Sequence, residues 1–552
     1  MAQLPAPSGR LAAWAGTWRP LGGRCSGPAG FVVAAVVLFF IYLRLSRTYP
    51  ENSDEANILL MAWDMLHGNL LLHGWSMSHL SFYTTELPQY MLVELVRGLN
   101  PDTAHVAAAM TYTLAVLLAA LLAKGQATGK NAAVRVLLAS GIMLAPQLGV
   151  GIFVLLLSVG HIGTSVPLLL IWLILDRARP RWYVPVVVGA ALAWVLVADS
   201  LVLVVGVAPL VLVCGVRVAR ELSGNPGPVS DPASRIRGVL AARWYEVSLA
   251  GAALVSVAVS SIVARLIRDE GGYLLHSVPL GIVGAAQLPV RAGITVEGLL
   301  ALFGAGFNGL YPGAGLTFAL PHGVGLVLAA LHLAGVALVA SALWLVARRF
   351  VAGASLVDQV LAVAVAANVA VYLPSAFATG VLNAREMAVV LPFGAALAGR
   401  TLASRIRGSK LAWVLGAVLI GYGIGLAREV VQPSVPPANE RLAVWLAGHH
   451  LTYGLGGYWE AGIVTVDTGD RVTIRAVLPK PVRRESWESK QSWYDPRSDW
   501  ADFVVFDSQP GFFHLWLPYG SVQAKFGQPV RTYHVGQYTI MVWDKNLLAQ
   551  LG

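Results

Sequence analysis

The sequence predicts an α-helical polytopic membrane protein of about 11 transmembrane helices, followed by a small C-terminal α/β or mostly β domain. Of its 552 residues, 56% are hydrophobic and 12% are charged, whereas soluble globular proteins carry about 25% charged residues. The mean hydropathy is +0.65. Several apolar runs approach the roughly 20 residues that cross a hydrocarbon core of about 30 Å, and only the last part of the chain is markedly polar.

The charge and cysteine content exclude two other classes of protein. The net charge is +10, but the basic residues cluster in short loops between apolar runs, which indicates membrane topology. A basic nucleic-acid-binding protein would not be this apolar, so we expect no nucleic-acid partner. The two cysteines, Cys25 and Cys214, indicate neither a metal site nor a disulfide framework.

The apolar runs define the transmembrane domain, which we place at residues 27–428, after a cytoplasmic N-terminal tail at residues 1–26. The predicted spans are 27–46, 104–123, 135–156, 161–175, 183–198, 200–216, 246–266, 324–346, 356–376, 387–403 and 411–427.

The basic loops predict the orientation in the membrane. With the N-terminus in the cytoplasm, they all fall on the cytoplasmic side, apart from Arg44 and Arg47 at the outer end of the first span. These loops contain Lys124, Lys130, Arg135, Arg177, Arg179, Arg181, Arg217, Arg220, Arg235, Arg237, Arg243, Arg348, Arg349, Arg405, Arg407 and Lys410. An odd number of spans then places the outer loops 47–103 and 267–323 and the C-terminal domain, residues 429–552, outside the cytoplasmic membrane.

The C-terminal domain differs in pattern from the rest of the chain. Apolar and polar residues alternate in "GIVTVDTGDRVTIRAVL" (462–478), "DFVVFD" (502–507) and "YTIMVWD" (538–544), which favours strands bounded by turns. Residues 438–451, "ANERLAVWLAGHHL", have the spacing of a helix that leads into this domain.

An acidic pair, Asp54 and Glu55, opens the first outer loop in "YPENSDEANILLMAWDMLHGNLLL" (49–72). One interpretation is structural. Apolar residues at 58, 61, 62, 65 and 66 form a helical stripe that would lie flat on the bilayer. Asn52 followed by Glu55 has the spacing of a capping box, and acids in a first turn favour the helix dipole.

The other interpretation of the pair is catalytic. A carboxylate at the boundary between membrane and water is well placed to take a proton from a hydroxyl that attacks a lipid-linked substrate. Two adjacent acids on a regular helix do not face one site. We therefore expect one of them to serve the fold and prefer Asp54 for chemistry.

These features together resemble the GT-C superfamily of membrane glycosyltransferases, in particular the protein O-mannosyltransferases and the aminoarabinose transferases that modify lipid A. The resemblance covers the layout of the whole chain, but its motifs are short. They are "DEA" (54–56), "GN" (68–69), "AD" (198–199), "AREMAVVLPFGAALAGR" (384–400) and "LTYGLGGYW" (451–459).

The resemblance implies an enzyme that uses a polyprenyl-phosphate sugar as donor and acts on an acceptor lipid, glycan or protein hydroxyl. By that match Asp54 is the general base of an inverting transfer, and Glu55 orients it or binds the acceptor. The leaving phosphate needs positive charge. Arg385 is the leading candidate for supplying it, unless it is only an anchor at the end of its span. Weaker candidates are Arg265, Arg268, Arg44 and Arg47.

Three further residues are candidates with simpler alternatives. Asp199 interrupts the apolar "AWVLVADSLVLVVGV", either as a functional carboxylate within the membrane or, as we favour, as a solvated turn residue. His161 lies at an outer turn, where we expect a hydrogen-bonded structural role. Glu386 is expected to pair with its neighbour Arg385.

We expect no cofactor and no metal, because the outer loops lack the clustered acids that a hard divalent cation favours. Asp269 and Glu270 stand only at the edge of loop 267–323. The aromatic residues of the C-terminal domain suit either sugar stacking or the core of a small domain. They are Tyr453, Tyr458, Trp459, Trp493, Tyr494 and Trp500.

Two other functions fit the composition. A transporter or flippase of lipid-linked sugars would also span the membrane many times, although such proteins usually have repeated halves. A non-catalytic subunit whose C-terminal domain binds envelope glycan is the other alternative.

Overall fold

The computed structural model describes residues 26–157, 160–223, 232–277, 281–307, 322–350, 353–507 and 517–551. Two sequence predictions fall mainly on residues outside these ranges. They are the N-terminal tail and the glycine-rich part of loop 267–323.

Helices account for most of the chain up to residue 430. In order they are α1 (Ser26–Ser46), α2 (Ser53–Leu66), α3 (Glu86–Arg97), α4 (Asp102–Lys124), α5 (Gly129–Met143), α6 (Val150–Leu156), α7 (Ile162–Arg177), α8 (Tyr183–Ala198), α9 (Ala208–Ser223), α10 (Pro232–Ala242), α11 (Trp244–Asp269), α12 (Leu288–Leu302), α13 (His322–Arg349), α14 (Leu356–Tyr372), α15 (Val390–Ile406) and α16 (Leu411–Val430). A π-helix, Leu203–Val207, runs into α9, and a 3-10 helix, Val381–Met387, precedes α15.

Every predicted span coincides with helix, but fewer helices are long enough to cross a membrane alone. Among the described residues, six helices meet that length and apolarity, and a seventh does so if Val381–Met387 and α15, bent by 57°, form one span. Eleven membrane crossings therefore stay a prediction. The span expected at 135–156 is wrong as one helix, because the chain breaks between α5 and α6 around Gly149, whose φ of 75° favours glycine.

The ends of the bundle differ in chemistry. Because short connections join successive helices, the basic loops fall together at one end, hereafter the basic end. The C-terminal domain follows α16 at the other end, the domain end. Along the sides, apolar residues face outward, as on α1, where Phe31, Val33, Val37 and Phe40 are exposed. An outward apolar surface on long helices is typical of contact with lipid.

The first outer loop contains α2 and α3, and only one of them has an exposed apolar face. On α3, Leu92, Leu95 and Val96 are exposed, as a helix against a membrane surface requires. The expectation that α2 lies flat on the bilayer is wrong, since most of its residues are buried. The C-terminal helix Tyr458–Asp467 covers it, and a Cβ at Gly462 would come 2.6 Å from Asn57 Oδ1, so the two helices approach closely.

The first two strands belong to the outer loops: β1 (Trp75–Met77) and β2 (Leu274–Leu275). The C-terminal domain consists of α17 (Glu440–Gly448), β3 (Tyr453–Gly456), α18 (Tyr458–Asp467), β4 (Thr473–Pro479), β5 (Val482–Arg484), β6 (Ser489–Lys490), β7 (Phe503–Asp507), α19 (Tyr519–Phe526), β8 (Arg531–Val535) and β9 (Tyr538–Val542).

Six of these strands form a mixed sheet in the order β5-β4-β3-β7-β9-β8, in which β3 runs parallel to both β4 and β7. The domain is thus of the α/β kind. One strand prediction is wrong: residues 462–467 lie in α18, although their β-branched side chains favour strands. These residues are almost all buried between α2 and β4, so packing on both sides overrides the local propensity.

A second, three-stranded sheet ties the outer segments together. Its order is β2-β1-β6, with Ser76 opposite Leu274 on one side and Ser489 on the other. Both outer loops and the C-terminal domain therefore share one set of backbone hydrogen bonds. This sheet fixes the segment that precedes β6 above the start of α2.

Candidate active site

The acidic pair separates at the first turn of α2. Asn52 is the N-cap, and the predicted capping box is confirmed. The Asn52 side chain accepts from the Asp54 backbone N–H, and the Asn52 backbone N–H donates to Glu55 Oε2 at 2.8 Å. Glu55 is buried, and that burial raises its pKa well above its usual value. Glu55 therefore faces the protein, while the Asp54 side chain points into a cavity.

Arg385 reaches Asp54 from the 3-10 helix before α15. Its Nη1 lies 3.3 Å from Asp54 Oδ2, with side-chain exposures of 29% and 16%. Asn368 holds this helix by donating to the Glu386 carbonyl at 3.0 Å. A Cβ on Gly160 would lie 3.3 Å from Arg385 Cβ, so glycine allows the close approach. Arg385 lines the cavity instead of reaching outward as an anchor.

The C-terminal domain supplies the other side of the site. The Tyr458 hydroxyl lies 2.9 Å from Asp54 Oδ1 and 2.8 Å from Glu488 Oε2. Asn57 of α2 donates to the same hydroxyl at 3.2 Å. Tyr458, Glu488 and Asn57 are all buried. Asp54 is thus held by a cation on one oxygen and a phenol on the other.

A second polar cluster lies beside Arg385. His161 Nδ1 is 2.6 Å from Asp199 Oδ2, and His161 Nε2 is 2.6 Å from Glu386 Oε2. Thr164 also donates to Asp199. The predicted turn at Asp199 is confirmed, since Asp199 Oδ1 accepts from the Leu201 backbone N–H. The expectation that Asp199 is solvated is wrong, because the residue is 2% exposed and its Oδ2 contacts His161. The expected pairing of Glu386 with Arg385 is also replaced, since Glu386 bonds to His161.

These groups surround a cavity of about 340 Å³ at the domain end, a volume within the range of small-molecule sites. Loop 47–103 contributes Ser78, His79, Leu80 and Phe82, the bundle contributes Phe153 and His161, and the C-terminal domain contributes Trp459 and Trp487. The cavity is lined by charged side chains and by aromatic or apolar ones, which suits a ligand that combines an anion with a sugar or a hydrocarbon chain.

The structure leaves several candidates away from this cavity. Arg265 and Arg268 are exposed on α11 and do not line it. Arg44 binds the carbonyls of Val430 and Gln432, and Arg47 pairs with Asp102 at 2.6 Å. Both therefore hold helices together.

Aromatic residues of the C-terminal domain divide between the cavity and the core. Tyr458 and Trp459 line the cavity, whereas Tyr494 is buried in the domain core. The Arg475 guanidinium carbon lies 3.7 Å from the ring centroid of Trp493 and 5.9 Å from that of Tyr453. Trp500 is 58% exposed.

Two residues near Asp54 had no signal in the sequence. Glu488 lies in the polar stretch "RRESWESK", where nothing distinguishes it from its neighbours, and Asn57 resembles any polar residue on a helix. The described residues include no group of three or more His, Cys, Asp or Glu side chains arranged to hold a metal ion.

Comparison with solved structures gives distant similarities. The apo oligosaccharyltransferase of Archaeoglobus fulgidus is 15% identical, with 86% of this chain and 69% of that one covered and a TM-score of 0.46. The aminoarabinose transferase ArnT of Cupriavidus metallidurans, also apo, is 15% identical over 95% and 98% of the two chains, with a TM-score of 0.41. Neither a protein-family model nor a curated protein matches the chain.

Both identities are below 25% and both TM-scores are below 0.5, so these similarities do not show a family or an activity, and the GT-C resemblance stays a prediction. The low identities and TM-scores restrict the likeness to overall layout.

Proposed function

We propose that the chain is a membrane glycosyltransferase that moves a single sugar from a polyprenyl-phosphate donor to a hydroxyl of a lipid, glycan or protein acceptor. The observation that carries this proposal is the contact of Asp54 with Arg385 inside one cavity. A base and a cation side by side are the two groups that an inverting displacement of phosphate requires. No cofactor or metal enters the proposed reaction.

In this reaction the acceptor oxygen attacks the anomeric carbon while Asp54 takes the hydroxyl proton. The bond from that carbon to the phosphate oxygen breaks, and the electron pair leaves with the polyprenyl phosphate. Arg385 stabilises the negative charge that develops on the phosphate. One displacement inverts the anomeric configuration.

We assign the two substrates to different walls of the cavity from the chemistry of the residues that line it. The lipid tail would lie along the apolar surface of the helices, with the phosphate at Arg385, and the sugar would lie between the aromatic side chains. The acceptor would enter from the side of the C-terminal domain, which we propose to be extracytoplasmic. The membrane would be the cytoplasmic one.

The test is a transfer assay with the full chain in proteoliposomes and a donor of defined polyprenyl-phosphate sugar. The wild-type protein should move the labelled sugar to an acceptor and release polyprenyl phosphate, and Asp54→Asn should do neither. Asp269→Asn, an exposed aspartate on α11, is the matched control and should transfer normally. Movement of the labelled lipid across the bilayer without transfer would replace this proposal with a flippase. Glycan binding without either activity would favour an assembly subunit.

A further inference from the structure

One phenol bridges two carboxylates at the candidate site. Tyr458 Oη lies within hydrogen-bond distance of both Asp54 Oδ1 and Glu488 Oε2. A tyrosine hydroxyl has one proton and can donate to only one of them. If both acids were ionised, the other short contact would join two oxygens with no hydrogen between them. A second proton is therefore needed in this group.

The surroundings of the two acids decide where that proton lies. Asp54 forms an ion pair with Arg385 and sits in the first turn of α2, where the helix dipole favours a negative charge. Glu488 is 4% exposed, and the described residues give it no basic partner within ion-pair distance. A buried acid without a cation is far more stable when neutral.

We propose that Glu488 is a neutral carboxylic acid that donates to Tyr458, and that Tyr458 in turn donates to Asp54 and orients it. The C-terminal domain thereby supplies two positioning residues to the site. Asn57 fills the remaining acceptor position of the phenol. The inference rests on the proposed function only in treating Asp54 as the base, since the placement of protons follows from the contacts alone.

The backbone around Glu488 supports a functional role for its position. Its φ is 47°, in the left-handed region that side chains other than glycine rarely adopt. Such strain persists where the surroundings enforce it. Here the enforcing element is β6, whose Ser489 pairs with Ser76 of β1 in the small sheet. The sheet thus holds the carboxyl group over Tyr458.

The arrangement makes the site sensitive to pH. Burial and the nearby charge of Asp54 together raise the pKa of Glu488 to about 8, against hydrogen bonds from neighbouring side chains that lower it. The ionisable groups around Glu488 are Asp54, Tyr458, Arg385, Arg475, His79 and Glu485. The neutral acid is present below that pKa and is lost as the pH rises through it. Above that pKa, the single Tyr458 hydroxyl proton can be donated to only one of the two carboxylates, and Asp54 loses its fixed orientation.

The first experiment compares transfer by Glu488→Gln and Glu488→Ala across the pH range. The amide can replace the O–H donor of the neutral acid but cannot ionise, whereas alanine removes the contact. Misplacing a base costs up to about a hundredfold in rate, so Glu488→Ala should be slowed about tenfold to a hundredfold. Glu488→Gln should recover most of that loss. It should also lack the fall in rate near pH 8 that the wild-type enzyme shows.

Equal loss in Glu488→Gln and Glu488→Ala would overturn the proposal, because it would mean that the ionised acid is required. A fall near pH 8 that persists in Glu488→Gln would overturn it as well. Tyr458→Phe keeps the ring and removes the bridge, so it should slow transfer and also abolish that fall.

An infrared difference spectrum separates this inference from the proposed function, since it needs no activity. The wild-type protein minus Glu488→Gln at pH 6 should contain the carbonyl band of one neutral carboxylic acid, and that band should vanish by pH 10. Its absence at pH 6 would contradict the protonated state even if Asp54 proves to be the base. Its presence in a protein without transferase activity would leave the proton placement intact and reject the proposed function.

Discussion

Arg385 and Asp54 are 331 residues apart in the chain, yet Arg385 Nη1 lies 3.3 Å from Asp54 Oδ2. The two residues come from opposite ends of the helical region, and the C-terminal domain closes over them. An incoming phosphate would share the guanidinium with Asp54. Binding of the donor and orientation of the base are therefore linked through one side chain.

Arg385→Lys should lower the transfer rate although it keeps the positive charge. A lysine is a point charge and lacks the planar fork that binds phosphate through two donors. We expect Arg385→Gln to lower the transfer rate by about 10²–10³, as when one stabilising donor is removed from other active sites. The rate of Arg385→Lys should lie between those of the wild type and Arg385→Gln. Steady-state kinetics with varied donor concentration would measure both rates.

Arg265→Gln, on the exposed surface of α11, is the matched control and should behave as the wild type. A loss of rate there equal to that of Arg385→Gln would reassign the phosphate site.

Glu55→Gln should retain transfer activity, in contrast to Asp54→Asn. Glutamine at this position also completes a capping box, and burial already favours the neutral form of Glu55. The same assay under identical conditions checks both variants. An inactive Glu55→Gln beside an active Asp54→Asn would exchange the roles of the two acids.

His161→Leu should destabilise the protein strongly. Both ring nitrogens lie 2.6 Å from carboxyl oxygens, so each contact needs one hydrogen, and an imidazolium between two carboxylates supplies both. Removing it leaves Asp199 and Glu386 without their common partner, a loss that typically costs about 3–5 kcal/mol. Denaturant titration of the detergent-solubilised protein measures the change.

Two further variants check that interpretation. His449→Gln, at an exposed histidine, should leave the free energy of unfolding almost unchanged. Adding Asp199→Asn to His161→Leu should restore part of the lost stability, because the free-energy effects of substitutions at contacting residues are not additive. Equal stability of His161→Leu and the wild type would mean that the histidine is not charged.

Labelling from the two sides of the membrane tests the predicted orientation. Trp500 of the C-terminal domain and Trp182 at the start of α8 are 58% and 77% exposed, and they lie at the domain end and the basic end. After replacement of Cys25 and Cys214 by alanine, Trp500→Cys should react with an impermeant maleimide added outside intact cells. Trp182→Cys should react only after permeabilisation. The reverse pattern would place the site in the cytoplasm.

Local signals in the sequence were enough for the helices and for the cap. Apolar runs located helix at each predicted span, and Asn52 with Glu55 marked the start of α2. These features depend on neighbours within a few residues. The break between α5 and α6 also had a local signal, since Pro146 and Gly149 lie within it. The helix at 462–467 depends on packing against distant segments, which local patterns do not contain.

The candidate site was predictable only in part, for the same reason. Asp54 and Arg385 stood out because a charged residue beside an apolar run is unusual. Glu488 lies in a stretch rich in charge, and only the pairing of β6 with β1 brings it to Tyr458. Asp199 was predicted to be a solvated turn residue because the partner that buries it, His161, is 38 residues away in the chain.

The most direct test of the central claim separates donor binding from chemistry in Asp54→Asn. The variant should bind the polyprenyl-phosphate sugar with a Kd close to that of the wild type, since Arg385 remains. Its single-turnover transfer rate should fall by about 10²–10⁴, the usual contribution of a general base. A transfer rate within twofold or so of the wild type, in folded protein that binds donor, would contradict the assignment of Asp54 as the base.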